Sequence, residues 1–328
     1  MPKDGQRLMV FSGTANPDLG QEIAQHLGTK LGEVEISRFA DSEIYVRFIE
    51  SVRGAHVFVI QSLCQQVNDN LMELLIMIDA LKRASAGTIS AVVPYYGYSR
   101  QDKKTVAREP ISAKLVADLL TVAGSDRVLT MDLHAGSIQG FFDLPVDHLT
   151  ALPIIADYFQ KKDLEDLVVV SPDVGRVKTA KKLADTLGAH VAVLAKRRPP
   201  HSLVDDQVIT SAEVTHIIGD VEGRHAIMID DMIDTGGTIC RGAQTLKKAG
   251  AKDIYAACTH AVFSGSAIEN LKLSCIKEMV ITNTVPLSIE KCIDKINILS
   301  VGPIFATTIQ NVFEDRSISE IFGGTDHV

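Results

Sequence analysis

The sequence predicts an α/β fold made of two tandem copies of one domain, each a mainly parallel sheet flanked by helices. Apolar β-branched runs alternate with helical runs along nearly the whole chain, the pattern of βαβ units. A set of local features also recurs in the same order at an offset of roughly 155 to 170 residues. The length, 328 residues, is enough for two separate cores.

Taken in order, Met9 to Phe11 reads as a strand and Pro17 to Leu27 as a helix. Val34 to Ser37 and Ile44 to Ile49 are short strands, and Val57 to Gln61 is a buried one. Asn68 to Ala84 is a long apolar helix with an Asn/Asp start, followed by the strand Thr88 to Val93. Pro110 suits the first turn of a helix that runs to about Thr121, and Val128 to Asp132 is the next strand. The pattern then starts again. Asn16-Pro17-Asp18-Leu19-Gly20 is answered by Ser171-Pro172-Asp173-Val174-Gly175. The run Gly54 to Gln61 is answered by Gly223 to Asp230, and Leu81 to Ala84 by Leu246 to Ala249. The first copy has Gln61-Ser62 where the second has Asp230-Asp231, so it keeps the fold without that acid pair. Prolines and aspartates between Phe142 and Pro153 mark the boundary.

The formal charge of −8 argues against a general nucleic-acid or anionic-membrane surface. No apolar run reaches membrane-span length, and Met1 to Gly5 lacks a signal-peptide core. The five cysteines (Cys64, Cys240, Cys258, Cys275 and Cys292) show no Cys-x-x-Cys spacing, which suits a reduced, cytoplasmic setting.

Chemistry concentrates in four stretches. Ala226 to Ile229 reads as a doubly buried strand, with Asp230 and Asp231 at its carboxyl end. Asp234 and Thr235-Gly236-Gly237-Thr238 follow, and then a helix from near Ile239. A strand, a Gly turn and a helix N-terminus converge backbone amides on a phosphate. The spacing fits neither a P-loop nor a dinucleotide fingerprint, so a small monophosphate is expected, held by amides and the threonine hydroxyls. The acid pair suits vicinal hydroxyls or a metal bridged to them. In the second stretch, Tyr95, Tyr96 and Tyr98 beside Arg100, Lys103 and Lys104 offer ring faces and cations for a nucleotide or a single strand. The third, Asp132-Leu133-His134, would put two metal-ligand types on one face of a strand end. The fourth, Lys196-Arg197-Arg198-Pro199-Pro200, is an exposed loop, either a solvated basic corner or a lid bringing charge to a polyphosphate.

The stretch from Asp230 to Thr238 resembles the phosphoribosyl-binding motif of phosphoribosyltransferases and phosphoribosyl pyrophosphate (PRPP) synthetases. The wider set is similar to PRPP synthetases of the phosphate-activated, ADP-inhibited type. It comprises Phe11-Ser12-Gly13 with Asn16-Pro17, Arg38 to Asp41, Pro94 to Asp102, Asp132 to His134, Gln139 to Phe142, Ser171 to Asp173 and Lys196 to Arg198. The resemblance implies phosphoribosyltransferase-like domains at 1–146, on the ATP side, and 147–328, on the ribose 5-phosphate side, with the last helix packing back on the first. It implies magnesium-dependent transfer of the β,γ-pyrophosphoryl group of ATP to ribose 5-phosphate, releasing AMP.

By position, the resemblance assigns Phe39, Ala40, Asp41, Arg100, Gln101 and His134 to ATP, with Phe39 to Asp41 reaching in from a neighbouring subunit. It assigns Arg198, Asp230, Asp231, Asp234, Thr235, Gly236, Gly237 and Thr238 to ribose 5-phosphate. His134 and Asp173 become Mg2+ ligands, and Lys196 and Arg198 the catalytic cations. Ser51, Arg53, Arg83 and Ser300 become a phosphate/ADP regulatory site at a subunit interface of a homo-oligomer, a hexamer built from dimers. Three positions depart from the family pattern. Arg176 stands where a second glycine is usual, where it could bind phosphate or crowd the site; Ser42 replaces a glycine, and Ser137 a glutamine. Two rival readings share the motif: a phosphoribosyltransferase that consumes PRPP, and a silent homologue that regulates an active synthetase.

Overall fold

The computed structural model describes residues 7–196 and 214–318. They form two compact units. The first takes the described residues up to Ala151, Asn283–Pro286 and those from Ser300 on; the second takes Leu152–Thr282 and Leu287–Leu299. The division falls five residues beyond the break read at 146, because β7 (Val146–Leu149) pairs with β6 (Arg127–Met131) of the first unit.

In the first unit β1 (Leu8–Ser12), β4 (His56–Ile60), β5 (Thr88–Val93), β6 and β7 form one all-parallel sheet in the order β1-β4-β5-β6-β7. β2 (Val34–Arg38) and β3 (Ile44–Phe48) form a separate antiparallel hairpin. Helices α1 (Pro17–His26), α2 (Val67–Arg83) and α3 (Ser112–Ala123) complete the βα pattern. Residues such as Val57, Val59, Ala91, Val93 and Val128 are fully buried, as a parallel sheet covered on both faces requires. Each buried Val or Leu of this kind contributes about 1.5–3 kcal/mol.

The second unit repeats the plan. Its main run, β8 (Leu167–Ser171), β11 (His225–Ile233), β12 (Ile254–Ala261), β13 (Ile276–Thr282) and β14 (Ile296–Leu299), is parallel and ordered as in the first copy. Here the counterpart of the hairpin, β9 (His190–Lys196) with β10 (Val214–Ile218), joins the main sheet beside β8. α4 (Leu152–Gln160), α5 (Val177–Leu187), α6 (Gly237–Lys248) and α7 (Ala267–Leu273) belong to this unit. The last helix, α8 (Gly302–Phe313), belongs to the first unit, where it packs on α1. Asn283 fastens that arrangement: its carbonyl O accepts from Asn16 Nδ2 at 2.8 Å, and its Oδ1 accepts from Val301 N at 2.9 Å.

The helix ends follow local chemistry. Asn16 caps α1 with Pro17 in its first turn, and Gly188 closes α5 in the left-handed conformation at φ 64°. Lys82-Arg83 and Lys247-Lys248 occupy the last turns of α2 and α6, where cations favour the helix dipole. α3 starts at Ser112 and not at Pro110. The carboxylate of Glu109 accepts from Thr105 N and Oγ1 and from Val106 N, and this knot delays entry into the helix.

The β2–β3 turn is closed by Phe39 N to Glu43 O and Ser42 N to Phe39 O, each at 2.9 Å. Ser42 has φ 76°, the region that favours glycine. Ser42→Gly is therefore expected to raise stability by about 0.5–1 kcal/mol, read as a higher urea midpoint, with strain relief outweighing the added unfolded-chain entropy. A lowered midpoint would show that the turn is not strained.

Candidate active site

β11 does not stop at the acids. It pairs with β8 only through Met228, opposite Val170, but continues against β12 through Met232 and Ile233. Asp230 and Asp231 are thus strand residues that have outrun β8, and they face the segment that follows it. The chain there turns through Pro172 and Asp173 into a short 3-10 helix, Val174–Arg176.

Arg176 reaches back from that turn to both acids. Its Nη2 lies 2.6 Å from Asp231 Oδ2, and its Nε lies 3.4 Å from Asp230 Oδ1. Asp230 Oδ1 also accepts from Asp231 N at 2.9 Å, and the shared guanidinium joins two carboxylates that strand alternation would send to opposite faces. The cluster is shielded, with the Arg176 side chain 16% exposed and that of Asp231 6%. Burial and the neighbouring Asp231 push the Asp230 carboxyl well above the usual carboxylate range, against the pull of Arg176.

After Ile233 the chain makes the Asp234 to Gly236 turn and enters α6. The turn is tied to the loop after β12 and to α7: Ser264 N donates to Asp234 O at 3.0 Å, and Asn270 Nδ2 to Thr235 O at 2.9 Å. Gly236 is the N-cap, left-handed at φ 73°, and provides no side-chain acceptor for the first-turn amides. Those amides, with the positive end of the helix dipole, make an anion site. Thr235 is exposed, and Gly237 and Thr238 are half-buried at its rim. The second unit thus brings Asp230, Asp231 and the Asp234 to Thr238 stretch to one sheet edge. The helix starts two residues earlier than read, and the strand runs three residues beyond Asp230.

Asp173 also faces this edge, with part of its carboxylate committed. Its Oδ1 accepts from Gly175 N at 2.8 Å and Arg176 N at 3.2 Å. Lys196 ends β9, which runs parallel to β8, so its backbone arrives at the same carboxyl edge of the sheet. Arg197 and Arg198 lie outside the described residues.

In the first copy the counterparts of the acids are buried bolts. Gln61 donates to Glu73 Oε1 at 2.8 Å and accepts from Ala15 N, while Ser62 Oγ donates to Thr284 O at 2.6 Å. The cleft of this unit lies elsewhere, with a volume of about 540 Å³. It is lined by Gln65, Gln66, Asn68 and Asp69 at the start of α2, and by Tyr95, Tyr98, Arg100 and Gln101 after β5. Gln101 Oε1 accepts from Ser112 Oγ at 2.6 Å, and Arg38 pairs with Asp69 at 3.2 Å, joining the β2–β3 hairpin to the rim. Phe39 is 57% exposed, its ring edge-on to Tyr45, and Ala40 and Asp41 are exposed beside it.

The aromatic loop needs a correction. Tyr95 and Tyr96 are buried, and Tyr96 is a core residue: its hydroxyl donates to Ala113 O at 3.0 Å and its ring meets Phe142. Only Tyr98 is half-exposed, with its hydroxyl on Asn68 Oδ1. Asp132 and His134 are likewise not a same-face pair. β6 ends at Met131, and Asp132 turns left-handed at φ 38° to accept from Ala151 N at 2.9 Å. Among the described residues no three His, Cys, Asp or Glu converge to hold a metal ion. Such a donor set fits an ion held chiefly by phosphate oxygens and water, with one or two protein ligands.

Of the expected regulatory residues, Ser51 and Arg53 are held together because Arg7 Nη2 donates to both carbonyls at 3.1 Å. Arg83 pairs with Asp79 at 2.7 Å, and Ser300 Oγ bonds Glu22 on α1. Gln65, Asn68, Asp69 and Arg7 were not singled out in the sequence. The position of the first three after β4, at the carboxyl edge of the sheet, is the signal that could have found them.

Two family models match: the N-terminal domain of ribose phosphate pyrophosphokinase over residues 8–124, and the phosphoribosyl synthetase-associated domain over 163–323. Ribose-phosphate pyrophosphokinase of Caldanaerobacter subterraneus subsp. tengcongensis is 57% identical over 96% of this chain and 98% of its own. That of Clostridium tetani is 54% identical over 98% and 99%. The crystal structure of phosphoribosylpyrophosphate synthetase from Mycobacterium smegmatis superposes with a TM-score of 0.88 at 46% identity, covering 94% of this chain and 99% of that one. With relatives this similar over nearly its full length, the chain belongs to the ribose-phosphate pyrophosphokinase family.

Proposed function

We propose that the chain transfers the β,γ-pyrophosphoryl group of ATP to the anomeric hydroxyl of ribose 5-phosphate, giving PRPP and AMP. The observation that carries this reading is the start of α6. A left-handed glycine cap without a side-chain acceptor stands directly behind a strand-borne acid pair. The amides of Gly236, Gly237 and Thr238, with the Thr235 and Thr238 hydroxyls, hold the 5-phosphate; Asp230 and Asp231 accept from the ribose hydroxyls, and Asp234 supports the turn.

Arg100 and Gln101, in the first-unit cleft, hold ATP together with His134 and with Phe39, Ala40 and Asp41 of a neighbouring subunit. In the transfer the anomeric oxygen forms a bond to the β-phosphorus and gives up its hydroxyl proton to solvent, the bond from that phosphorus to the oxygen bridging to the α-phosphate breaks, and AMP leaves. No protein nucleophile is needed, only alignment and neutralisation of growing charge, the latter by Lys196 and Arg198. Asp173 and His134 would serve as magnesium ligands beside phosphate oxygens, and magnesium would supply neutralisation of polyphosphate charge. A nucleotide substrate and five cysteines suit a reducing, cytoplasmic compartment.

An AMP-release assay tests the activity: AMP must appear only when ATP and ribose 5-phosphate are both present. AMP formed without the sugar, or none with it, contradicts the reading. A phosphoribosyltransferase would instead release pyrophosphate from PRPP.

Inorganic phosphate and ADP act as effectors near Ser51, Arg53, Arg83 and Ser300, at an interface of a homo-oligomer, a hexamer of dimers. The paired Ser51 and Arg53 segment, fastened by Arg7, supports this. Arg53→Ala is expected to blunt phosphate activation while leaving the ribose 5-phosphate KM unchanged. Undiminished activation, or a fully active monomer in light scattering, would contradict it.

A further inference from the structure

The Arg176 guanidinium lies within 2.6 and 3.4 Å of carboxylate oxygens on the two acids assigned to the sugar. A divalent ion bridging those carboxylates would stand beside a fixed positive charge in a shielded site, where like-charge repulsion is strong. Burying two carboxylates side by side is costly unless a cation is paired with them, and this chain supplies that cation covalently. The backbone that carries the guanidinium is fixed as well. Arg176 N donates to Asp173 Oδ1 at 3.2 Å, so the residue is anchored at both ends of its reach. Raised protonation of Asp230 moves the cluster further towards neutrality.

We propose that Arg176 is a built-in cation for the Asp230 and Asp231 pair, so that the protein alone receives a sugar diol there, with no divalent ion bridging the carboxylates. Metal then enters the site only with the polyphosphate, away from these two acids. Arg176 is a positioning residue: it holds the acids in place and fixes which cation they see. The part concerning the sugar rests on the function proposed above; the part concerning the cation does not.

The test is Mn2+ binding to the full chain, without nucleotide or sugar, followed by electron paramagnetic resonance of the free ion. Arg176→Gln should gain one Mn2+ site, at least roughly 10-fold tighter than wild type offers at low concentration, since each tenfold reflects only a modest loss of repulsion. Arg176→Lys keeps the charge and should gain none, and Arg176→Gln combined with Asp231→Asn should lose the new site. Unchanged Mn2+ binding in Arg176→Gln, or a gained ion that survives Asp231→Asn, overturns the proposal. If Arg176→Gln folds poorly, its melting temperature in Mn2+ against EDTA reads the same quantity. A rise in Mn2+ that the double variant lacks supports the proposal, and equal melting overturns it.

Calorimetry of ribose 5-phosphate with wild type, in EDTA and in Mg2+, adds the second arm. Equal affinities are expected, and binding that requires Mg2+ overturns the sugar part. Binding in neither condition would count against the proposed function, while the Mn2+ result still decides the role of Arg176.

Discussion

Lys196→Ala is expected to lower kcat by roughly 100-fold or more, the scale of losing one preorganised stabiliser of developing charge. The KM values for ATP and ribose 5-phosphate should move far less. Lys196 is the last residue of β9, at the carboxyl edge of a mainly parallel sheet in which β8, its neighbour, runs into Asp173 and β11, beyond β8, carries the acid pair. In the proposed transfer charge grows on the bridging oxygen as the bond to AMP breaks, and a cation supplied there would favour the transition state over the bound substrates. Losing it should lower kcat and kcat/KM together. The resemblance gives Arg198 the same role and Arg197 none, so Arg198→Ala should behave similarly and Arg197→Ala mildly. Steady-state kinetics on the three variants check this; equal small losses would reduce the stretch to a solvated corner.

Gly236→Val should raise the KM for ribose 5-phosphate by roughly 100-fold, because hydrogen bonds to a charged group contribute about 1.5–3 kcal/mol each. At φ 73° a β-branched residue is strained, and relief rotates the first-turn amides away from the phosphate. The added Cβ itself fits, lying 3.4 Å from its nearest neighbour, Ala267 O, at the tight end of ordinary contact. Gly188→Val supplies the control. It imposes similar strain at φ 64° with open space around the Cβ, at the C-terminal end of α5 in another βα unit. It should lower the melting temperature and leave that KM alone. A folded Gly236→Val protein with an unchanged KM would remove the phosphate from α6.

Much of this was legible in the sequence, for identifiable reasons. Doubly buried strands such as Thr88 to Val93 are continuous β-branched runs, and their bounds agree with the structure to within a residue or so. The duplication was readable because Asn16-Pro17 and Ser171-Pro172-Asp173 mark the same turn of the same unit, and the five-strand parallel runs of the two units share one order. The end of β11 was not readable. Whether the strand continues through two aspartates depends on β12 outlasting β8, a fact about neighbours and not about the run itself. Tyr95 and Tyr98 do line the cleft, but Tyr96 misled because a ring lining a cleft and a ring filling a core have the same composition. Only the packing of Tyr96 against Phe142 and Ala113 tells them apart. Arg176 was visible as a departure from the family pattern, but its partners lie in another strand, beyond the reach of local patterning.

The most direct measurement follows the phosphorus atoms themselves. With ATP, ribose 5-phosphate and Mg2+, phosphorus NMR should show AMP and a sugar-bound diphosphate rising in equal amounts, with the β and γ phosphates of ATP still joined. ADP with a singly phosphorylated new ester, or free pyrophosphate without a sugar diphosphate, would contradict pyrophosphoryl transfer at this site.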